Sequence, residues 1–489
     1  MQSQYIVCNS NFMATALLQD IPLGPSLTEE AAGAIFDQGR EAVVFALLAQ
    51  AKQLAEQQAS LAGTSHDTPS TPSGMKPPYQ KPQSTGRGKK KPGRKKGHSG
   101  SRRATPDKID RTEEHRAACC PDCGGTLNRC EETRTRYTED IPEAKPEVTE
   151  HVIHRDWCPK CKKKVEAPVS AALPGATVGI RALVLSAWLH YCLSNTLSQI
   201  VDVFNFHLCF KVTPGGLLHM WRRLAEILQP WYEDIQREAL NSSVLNADET
   251  GWRVDGKTHW LWCFASNDLS YFLIDQSRGQ PALLRFFIEE FEGTLVADFW
   301  GPYNAVACAH AQKCLVHLLR DLEHVERYKS PGEDWAAFAK KLRRLLGDAI
   351  RLSRREGEHT PQAYASRRAL LSKRLDELNA VPWEDGQARR LVKRLKRHHD
   401  ELFTFLDQPG VPFENNLAER AIRPAVILRK NSYGNRSGQG ADIQALLMSV
   451  FFTLKKRGHN PVNAISHAIK QYLESGSLPP LPGKITSDR

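Results

Sequence analysis

Three kinds of residue in this 489-residue chain are spaced for chemistry: carboxylates, paired cysteines, and clustered lysines and arginines. Asp248 closes the strand-like run Val244–Ala247, and Asp298 closes a second, Thr294–Ala297. Two Mg²⁺ ions about 3.5–4 Å apart can stabilise the attacking and leaving oxygens of an in-line phosphodiester displacement. Magnesium takes oxygen ligands and keeps several waters, so two or three carboxylates suffice to hold it. A third acid should come from a helix packed under the strands. Glu419 lies one turn into a predicted helix whose N-cap is Asn415 or Asn416. On spacing alone, Glu419 and Arg423 read as an i,i+4 salt pair worth roughly 0.3 kcal/mol, and each aspartate as a strand-end residue.

The cysteines give a sharper signal. Cys120-Pro-Asp-Cys123-Gly-Gly and Trp157-Cys158-Pro-Lys-Cys161 flank a stretch whose alternation at Val148–Arg155 predicts strands. Two thiolate pairs on tight turns can converge on one tetrahedral zinc, a reading that outweighs redox or buried thiols. Such a zinc is structural, since four thiolates leave no open position for chemistry. Cys314 and His317 share ligand-like i,i+3 spacing but cannot close a site by themselves; His317 reads either as an active-site neighbour or as a core or capping histidine.

Positioning these groups requires several elements. Residues 1–65 carry one helical pattern over Thr28–Ser60, either a surface helix or a short self-associating one. Residues 66–110 are rich in Pro, Gly, Ser, Lys and Arg and read as a disordered linker. Residues 111–170 form the cysteine block. In 171–235 three helices (Leu183–Leu193, Thr196–Phe204 and Leu217–Leu228, the last bearing Arg222 and Arg223) fit a helix-turn-helix or an ordinary helical bundle equally well. From 236 to 325 strand-like runs dominate: Val244–Ala247, His259–Ala265 and Ser270–Ile274. A helix over Pro281–Phe291 and the strand Thr294–Ala297 follow, then a helix over Tyr303–His310 and a fifth strand, Lys313–Val316. That order predicts a mixed sheet of the ribonuclease-H-like kind, with Asp248 and Asp298 side by side. Residues 326–408 are helical and charged, which reads as an inserted all-helical bundle. Residues 409–470 return to the core, and 471–489 form a tail.

Charge is concentrated in one place. The formal net charge is +11, and the eleven basic residues between Lys76 and Ala104 face no acid there, so the remainder is formally neutral. Lys89, Lys90, Lys91, Arg94, Lys95 and Lys96 form the densest part. Phosphate contact by this run would be salt-sensitive and blind to sequence. A hydrophobic content of 41% excludes wholesale disorder. The longest apolar stretches, Ala42–Ala51 and Ala182–Leu193, are too short to span a bilayer, so no membrane partner is expected. No Lys or Arg precedes Arg40, so no secretory signal is expected, and the chain is placed in the bacterial cytoplasm with the nucleoid.

One resemblance joins these parts. Asp248-Glu-Thr, Asp298-Phe-Trp-Gly-Pro-Tyr303, Cys314-x-x-His317-x-x-Arg320 and Asn415-Asn-x-Ala-Glu419-Arg-x-x-Arg-Pro424 together resemble the insertion-sequence 66 family of DDE transposases. The run Arg429-Lys-Asn-Ser-Tyr-Gly-Asn-Arg-Ser-Gly438 is similar to that family's loop after the acidic helix. The likeness covers about residues 30–465; Glu414 and Ser432 depart from the usual residues. It implies Asp248, Asp298 and Glu419 as the catalytic triad holding Mg²⁺ or Mn²⁺, beside a structural Zn²⁺ on Cys120, Cys123, Cys158 and Cys161. His317 would lie at the scissile phosphate, and Arg320, Arg423, Arg429, Lys430 and Arg436 would grip DNA around it. The expected function is DNA end cleavage at terminal inverted repeats followed by strand transfer into target DNA. A synaptic homo-oligomer and small accessory proteins complete the expectation. Two rival readings are a zinc-dependent DNA-binding regulator without catalysis and a ribonuclease-H-like nuclease without strand transfer.

Overall fold

The computed structural model describes residues 105–128, 132–329 and 331–485, together with Gly33, Phe36, Asp37, Val43 and Val44. The chain divides into two units, Met1–Ser73 and Gly74–Arg489. In the first, the five described residues have helical backbone, inside the predicted Thr28–Ser60. The basic run Lys89–Lys96 lies outside the described residues.

In the second unit the cysteine block contains one hairpin, β1 (Arg155–Cys158) and β2 (Lys163–Glu166), paired antiparallel. It falls after the predicted Val148–Arg155 because the turn is made by the cysteine pair itself. Lys162 takes a left-handed φ of 50°, and the Cys161 amide donates to Cys158 Sγ at 3.4 Å. The strand residues are nearly all exposed, so this hairpin has no apolar core of its own.

Three helices follow: α1 (Ile180–Tyr191), α2 (Leu197–Asp202) and α3 (Pro214–Leu240). Thr196 and Gln199 form a reciprocal capping box on α2, and Thr213 caps α3 with Pro214 in the first turn. α3 is much longer than the expected Leu217–Leu228. Trp231, Ile235 and Ala239 continue its buried face beyond Pro230, so burial outweighs the amide that the proline removes. Trp221 stacks on His190 and donates to Ser186 Oγ at 3.0 Å, locking α3 against α1.

The sheet has five strands: β3 (Val244–Val254), β4 (Lys257–Ala265), β5 (Ser270–Asp275), β6 (Phe291–Ala297) and β7 (Cys308–Lys313). Their spatial order is β5-β4-β3-β6-β7, with β5, β4 and β3 antiparallel and β6 and β7 parallel to β3. Asp255 (φ 50°) and Gly256 (φ 70°) make the two-residue β3–β4 turn, whose twist suits a hairpin. A short helix, α4 (Gln280–Phe286), precedes β6; it ends before the predicted Phe291, which begins β6 instead. The expected helix over Tyr303–His310 is a 3₁₀ turn at Gly301–Ala305, and the fifth strand comes earlier than Lys313–Val316. Parallel pairing with β6 recruits the polar run Cys308–Lys313 as strand, although its alternation is weak.

Six further helices complete the chain before the last two: α5 (Leu315–Tyr328), α6 (Trp335–Arg354), α7 (Pro361–Ala380), α8 (Gly386–Arg397), α9 (Thr404–Asp407) and α10 (Asn416–Ser432). Then come α11 (Gly438–Lys456) and α12 (Pro461–Ser475). One apolar core joins the sheet to α1, α3, α10, α11 and α12. A second, with Leu318, Phe338, Leu346, Leu375 and Leu391, unites α5 to α8. The free edge of β5 is closed by α11: the Phe272 amide donates to Ser449 Oγ at 2.9 Å and the Ser270 amide to Thr453 Oγ1 at 3.2 Å. Buried edge amides need such partners, and hydroxyls on a helix supply them.

Candidate active site

The parallel register of β3 and β6 pairs Val244 with Thr294, Leu245 with Leu295 and Asn246 with Val296. The ladder ends there; Asp248 and Asp298 each lie two residues beyond its last pair, near enough for the charge of Asp298 to act on the Asp248 carboxyl. Asp248 lies within β3 rather than at its end, because pairing with β4 carries the strand on to Val254. Asp298 follows β6 directly, and its Oδ1 accepts from the Trp300 amide at 2.8 Å. Asp248 Oδ1 accepts from the Glu249 amide at 2.9 Å.

These acids are electrostatically strained. Burial pushes the Asp248 carboxyl well above its ordinary range, and the charges of Glu249, Asp298 and Glu419 add to the effect. Burial, then Glu249, raises Asp298 to about 7. A buried, mutually repelling carboxylate pair with unspent lone pairs fits a divalent cation, which would relieve both terms at once.

Glu249 carries no sequence signal separate from Asp248, yet it is the most connected acid of the site. It is 1% exposed, accepts from Arg278 Nη2 at 3.0 Å and Nε at 3.2 Å, and accepts from Tyr303 Oη at 2.6 Å. The Arg278 guanidinium is sandwiched between Trp260 and Trp300, 4.4 and 4.0 Å from the ring centroids. Glu249 lies in Asp248-Glu-Thr and Tyr303 ends Asp298-Phe-Trp-Gly-Pro-Tyr303; Arg278 sits in a turn with no motif around it. Lys313, at the end of β7, is a further missed residue. It is buried, pairs with Glu401 at 3.6 Å, and its charge favours ionised Asp298.

Glu419 reaches the site on α10. Asn415 occupies the N-cap position, but its side chain does not cap the helix. Its Nδ2 donates to the Ala247 carbonyl at 2.7 Å, its Oδ1 accepts from Asn246 at 3.0 Å, and its amide donates to Cys314 Sγ at 3.2 Å. The start of α10 is therefore bolted to the strand that carries Asp248. The Glu419 side chain is 16% exposed and faces α5, not Arg423: its partners are Arg320, at 3.4 and 3.5 Å, and His317, at 4.0 Å. Arg423 sits exposed on the outer face. Among the described residues, Cys314, His317 and Glu419 bring three ligand atoms within 4.8 Å of one another, a grouping that Asp248, Asp298 and Glu419 do not reach here.

The remaining basic residues differ in what they can do. Arg429 turns inward, donating to Thr250 Oγ1 at 3.2 Å and to the Gly251 carbonyl, so it braces β3. Arg320, Lys430 and Arg436 are exposed, and of the three Arg320 is the one that holds Glu419. Between the last two, Tyr433 is 82% exposed with a left-handed φ of 63°, an aromatic that spacing did not single out. The loop beyond it docks on the β3–β4 hairpin: the Asn435 amide donates to the Arg253 carbonyl at 2.9 Å, and Trp252 Nε1 donates to Asn435 Oδ1 at 2.7 Å. Gly434 has φ 114°, and a Cβ there would fall 2.2 Å from the Arg253 oxygen. Only glycine fits that approach.

The four ribbon cysteines form two separate knuckles. The Gly124 amide donates to the Cys120 carbonyl at 2.8 Å, and the Cys120 amide to the Gly125 carbonyl at 2.9 Å. Hydrogen bonds from the Cys123 and Asp122 amides hold the Cys120 thiol below its usual range, and the Cys161 amide does the same for Cys158. Backbone amides aimed at sulfur suit thiolate ligands. The two knuckles are not gathered into one four-sulfur set in this structure.

The family model described as transposase IS66 family matches residues 175–443, and the zinc-finger binding domain of transposase IS66 matches residues 117–162. The chain is similar to two uncharacterized proteins of Sinorhizobium fredii. One, y4jD, is 23% identical over 403 residues, covering 74% of this chain and 76% of the relative. The other, y4qI, is 28% identical over 243 residues, covering 44% of each. No helix among the described residues is long and apolar enough to cross a membrane.

Proposed function

We propose, from the premise that this chain belongs to the IS66 transposase family, that it cleaves the ends of an insertion sequence and joins them to target DNA. The observation that carries the reading is the adjacency of Asp248 and Asp298 on parallel strands, with Asn415 anchoring the helix of Glu419 to the same strand. The strand order β5-β4-β3-β6-β7 supports a ribonuclease-H-like core, and the second hydrophobic core of α5 to α8 supports a helical bundle inserted between its halves.

Mg²⁺ or Mn²⁺, when bound, would supply Lewis-acid stabilisation of the attacking and leaving oxygens. Asp248 and Asp298 would hold that charge, and Glu419 would complete the set once it swings from Arg320 towards β3. Lys313 would keep Asp298 ionised. Glu249, fixed by Arg278 and Tyr303, holds the backbone next to Asp248 still. Arg320, freed from Glu419, would take a DNA phosphate, with His317 beside the scissile one. Arg423, Lys430, Arg436 and Tyr433 form the outer contact surface, and the zinc ribbon, α2–α3 and the basic run at 89–96 would bind terminal inverted repeats. A homo-oligomer would hold two ends together near the nucleoid, with small accessory proteins where the element needs them.

The test is cleavage and joining of labelled element ends with Mg²⁺. Asp298→Ala should lose both activities while retaining end binding in a mobility-shift assay; full cleavage by that variant refutes the assignment. Cleaved but never joined ends would favour a nuclease, and binding without cleavage by the wild type would favour a regulator.

A further inference from the structure

We infer that Cys314, His317 and Glu419 form a second zinc site, separate from the ribbon, that takes a borderline-soft divalent cation and thereby withholds Glu419 from the acid pair. It rests on the proposed function only in that Glu419 is shared.

The three ligands come from two helix starts that the fold holds together. Cys314 immediately precedes α5 and is fully buried; His317 lies in the first turn of that helix, its side chain 12% exposed. Glu419 lies in the first turn of α10. The Asn415 amide donating to Cys314 Sγ ties the two starts directly. The His317 Nε2 to Glu419 Oε1 distance is 4.0 Å, and all three ligand atoms lie within 4.8 Å of one another.

Tetrahedral zinc with bonds of about 2.0–2.3 Å sets its ligand atoms about 3.3–3.8 Å apart. The cluster therefore has to close by up to about 1.5 Å, within the reach of side-chain rotation. A thiolate, an imidazole and one carboxylate select zinc over magnesium, because sulfur is a poor ligand for the harder ion. Three protein ligands leave a fourth position open, unlike the four-thiolate ribbon, so this zinc should exchange more readily.

Arg320 opposes the arrangement, since it holds both Glu419 oxygens. Its contacts are long, 3.4 and 3.5 Å, and its side chain is 45% exposed, so it can leave for solvent. When zinc is bound, Glu419 faces α5 and cannot serve Asp248 and Asp298. The site would act as a brake on cleavage.

The experiment titrates the purified full-length chain with zinc in Mg²⁺ buffer, using a competing chromophoric chelator. The wild type should take up two zinc ions per chain. Cys314→Ser and His317→Ala should each take up one, and Cys120→Ser combined with Cys158→Ser should also keep one. One zinc in the wild type, removed by the ribbon substitutions and untouched by Cys314→Ser, overturns the proposal. Should Cys314→Ser melt early, the ribbon-substituted chain loaded with Co²⁺ decides: a thiolate-to-cobalt absorption band supports the site, and its absence refutes it. The zinc count stands apart from DNA chemistry, so a chain that cleaves nothing yet binds two zincs keeps this inference and loses the proposed function. In an active chain, added zinc should slow cleavage by the wild type at least tenfold more than by Cys314→Ser.

Discussion

Asn415 and Asn246 face each other at the junction of α10 and β3, with Asn246 Nδ2 donating to Asn415 Oδ1 at 3.0 Å. Both are almost completely buried. Since Asn415 also holds the Ala247 carbonyl, one side chain fixes the helix of Glu419 to the strand of Asp248 across 168 residues of sequence. Removing it strands buried polar groups, each costing about 1–3 kcal/mol. Asn415→Ala should therefore lower unfolding free energy by about 3 kcal/mol in urea titration and depress DNA cleavage more than DNA binding. A variant with unchanged stability and cleavage would disprove the anchoring role.

The pH dependence of stability has a definite sign. Asp298 moves from an ordinary value of 3.8 when unfolded to about 7 when folded. A raised acid contributes fully below its unfolded value and loses that contribution as pH rises through the folded one. The metal-free protein should thus lose stability from about pH 4 to about pH 7, by at most about 4 kcal/mol from this group. Asp298→Asn should melt several degrees higher than the wild type at about pH 8 without metal, with the gap closing near pH 4. Scanning calorimetry checks this; a wild type that melts higher at alkaline pH without metal contradicts it.

The Glu249–Arg278 pair should behave as a buried ion pair. Truncating one member leaves the other charge uncompensated, at about 3–5 kcal/mol. Glu249→Ala and Arg278→Ala should each destabilise by that order, and the double variant by much less than their sum. Additive losses in a double-mutant cycle would show that Trp260 and Trp300, rather than the pair, hold the arginine.

The ribbon should depend on its metal far more than the core does. Its hairpin residues are exposed, so it has little besides coordination to fold it. In the Cys314→Ser chain, which lacks the second zinc, strong chelation should abolish end binding in a mobility-shift assay while the main thermal transition moves by less than about 2 °C. Loss of the main transition on chelation would mean that zinc supports the core as well.

Much of this organisation was legible in the sequence because it is periodic or punctuated. Strand runs around Asp248 and Asp298 and the Asp255-Gly256 turn carry local signals, whereas Thr213-Pro-Gly-Gly216 reads as a break and the helix starts there instead of at Leu217. What stayed hidden depends on distant partners. Asn415 reads as a cap until β3 supplies a donor for its Oδ1 and an acceptor for its Nδ2, and Cys308–Lys313 becomes a strand only through β6. Glu419 looks committed to Arg423 on helical spacing alone, but tertiary packing delivers Arg320. Arg278 has no neighbouring pattern at all; only the two tryptophans and Glu249 define it.

The closure of β5 by α11 sets a timetable for the ribosome. The hydroxyls that satisfy Phe272 and Ser270 lie 177 and 183 residues further along the chain. At about 5–20 residues per second, roughly 9–35 s separate synthesis of the strand from synthesis of its cover. During that interval the nascent polypeptide carries an uncovered strand margin, and holding it apart from its neighbours is work for a chaperone. Chains released before Gly438 should sediment as aggregates, whereas chains released after Lys456 should stay in the supernatant.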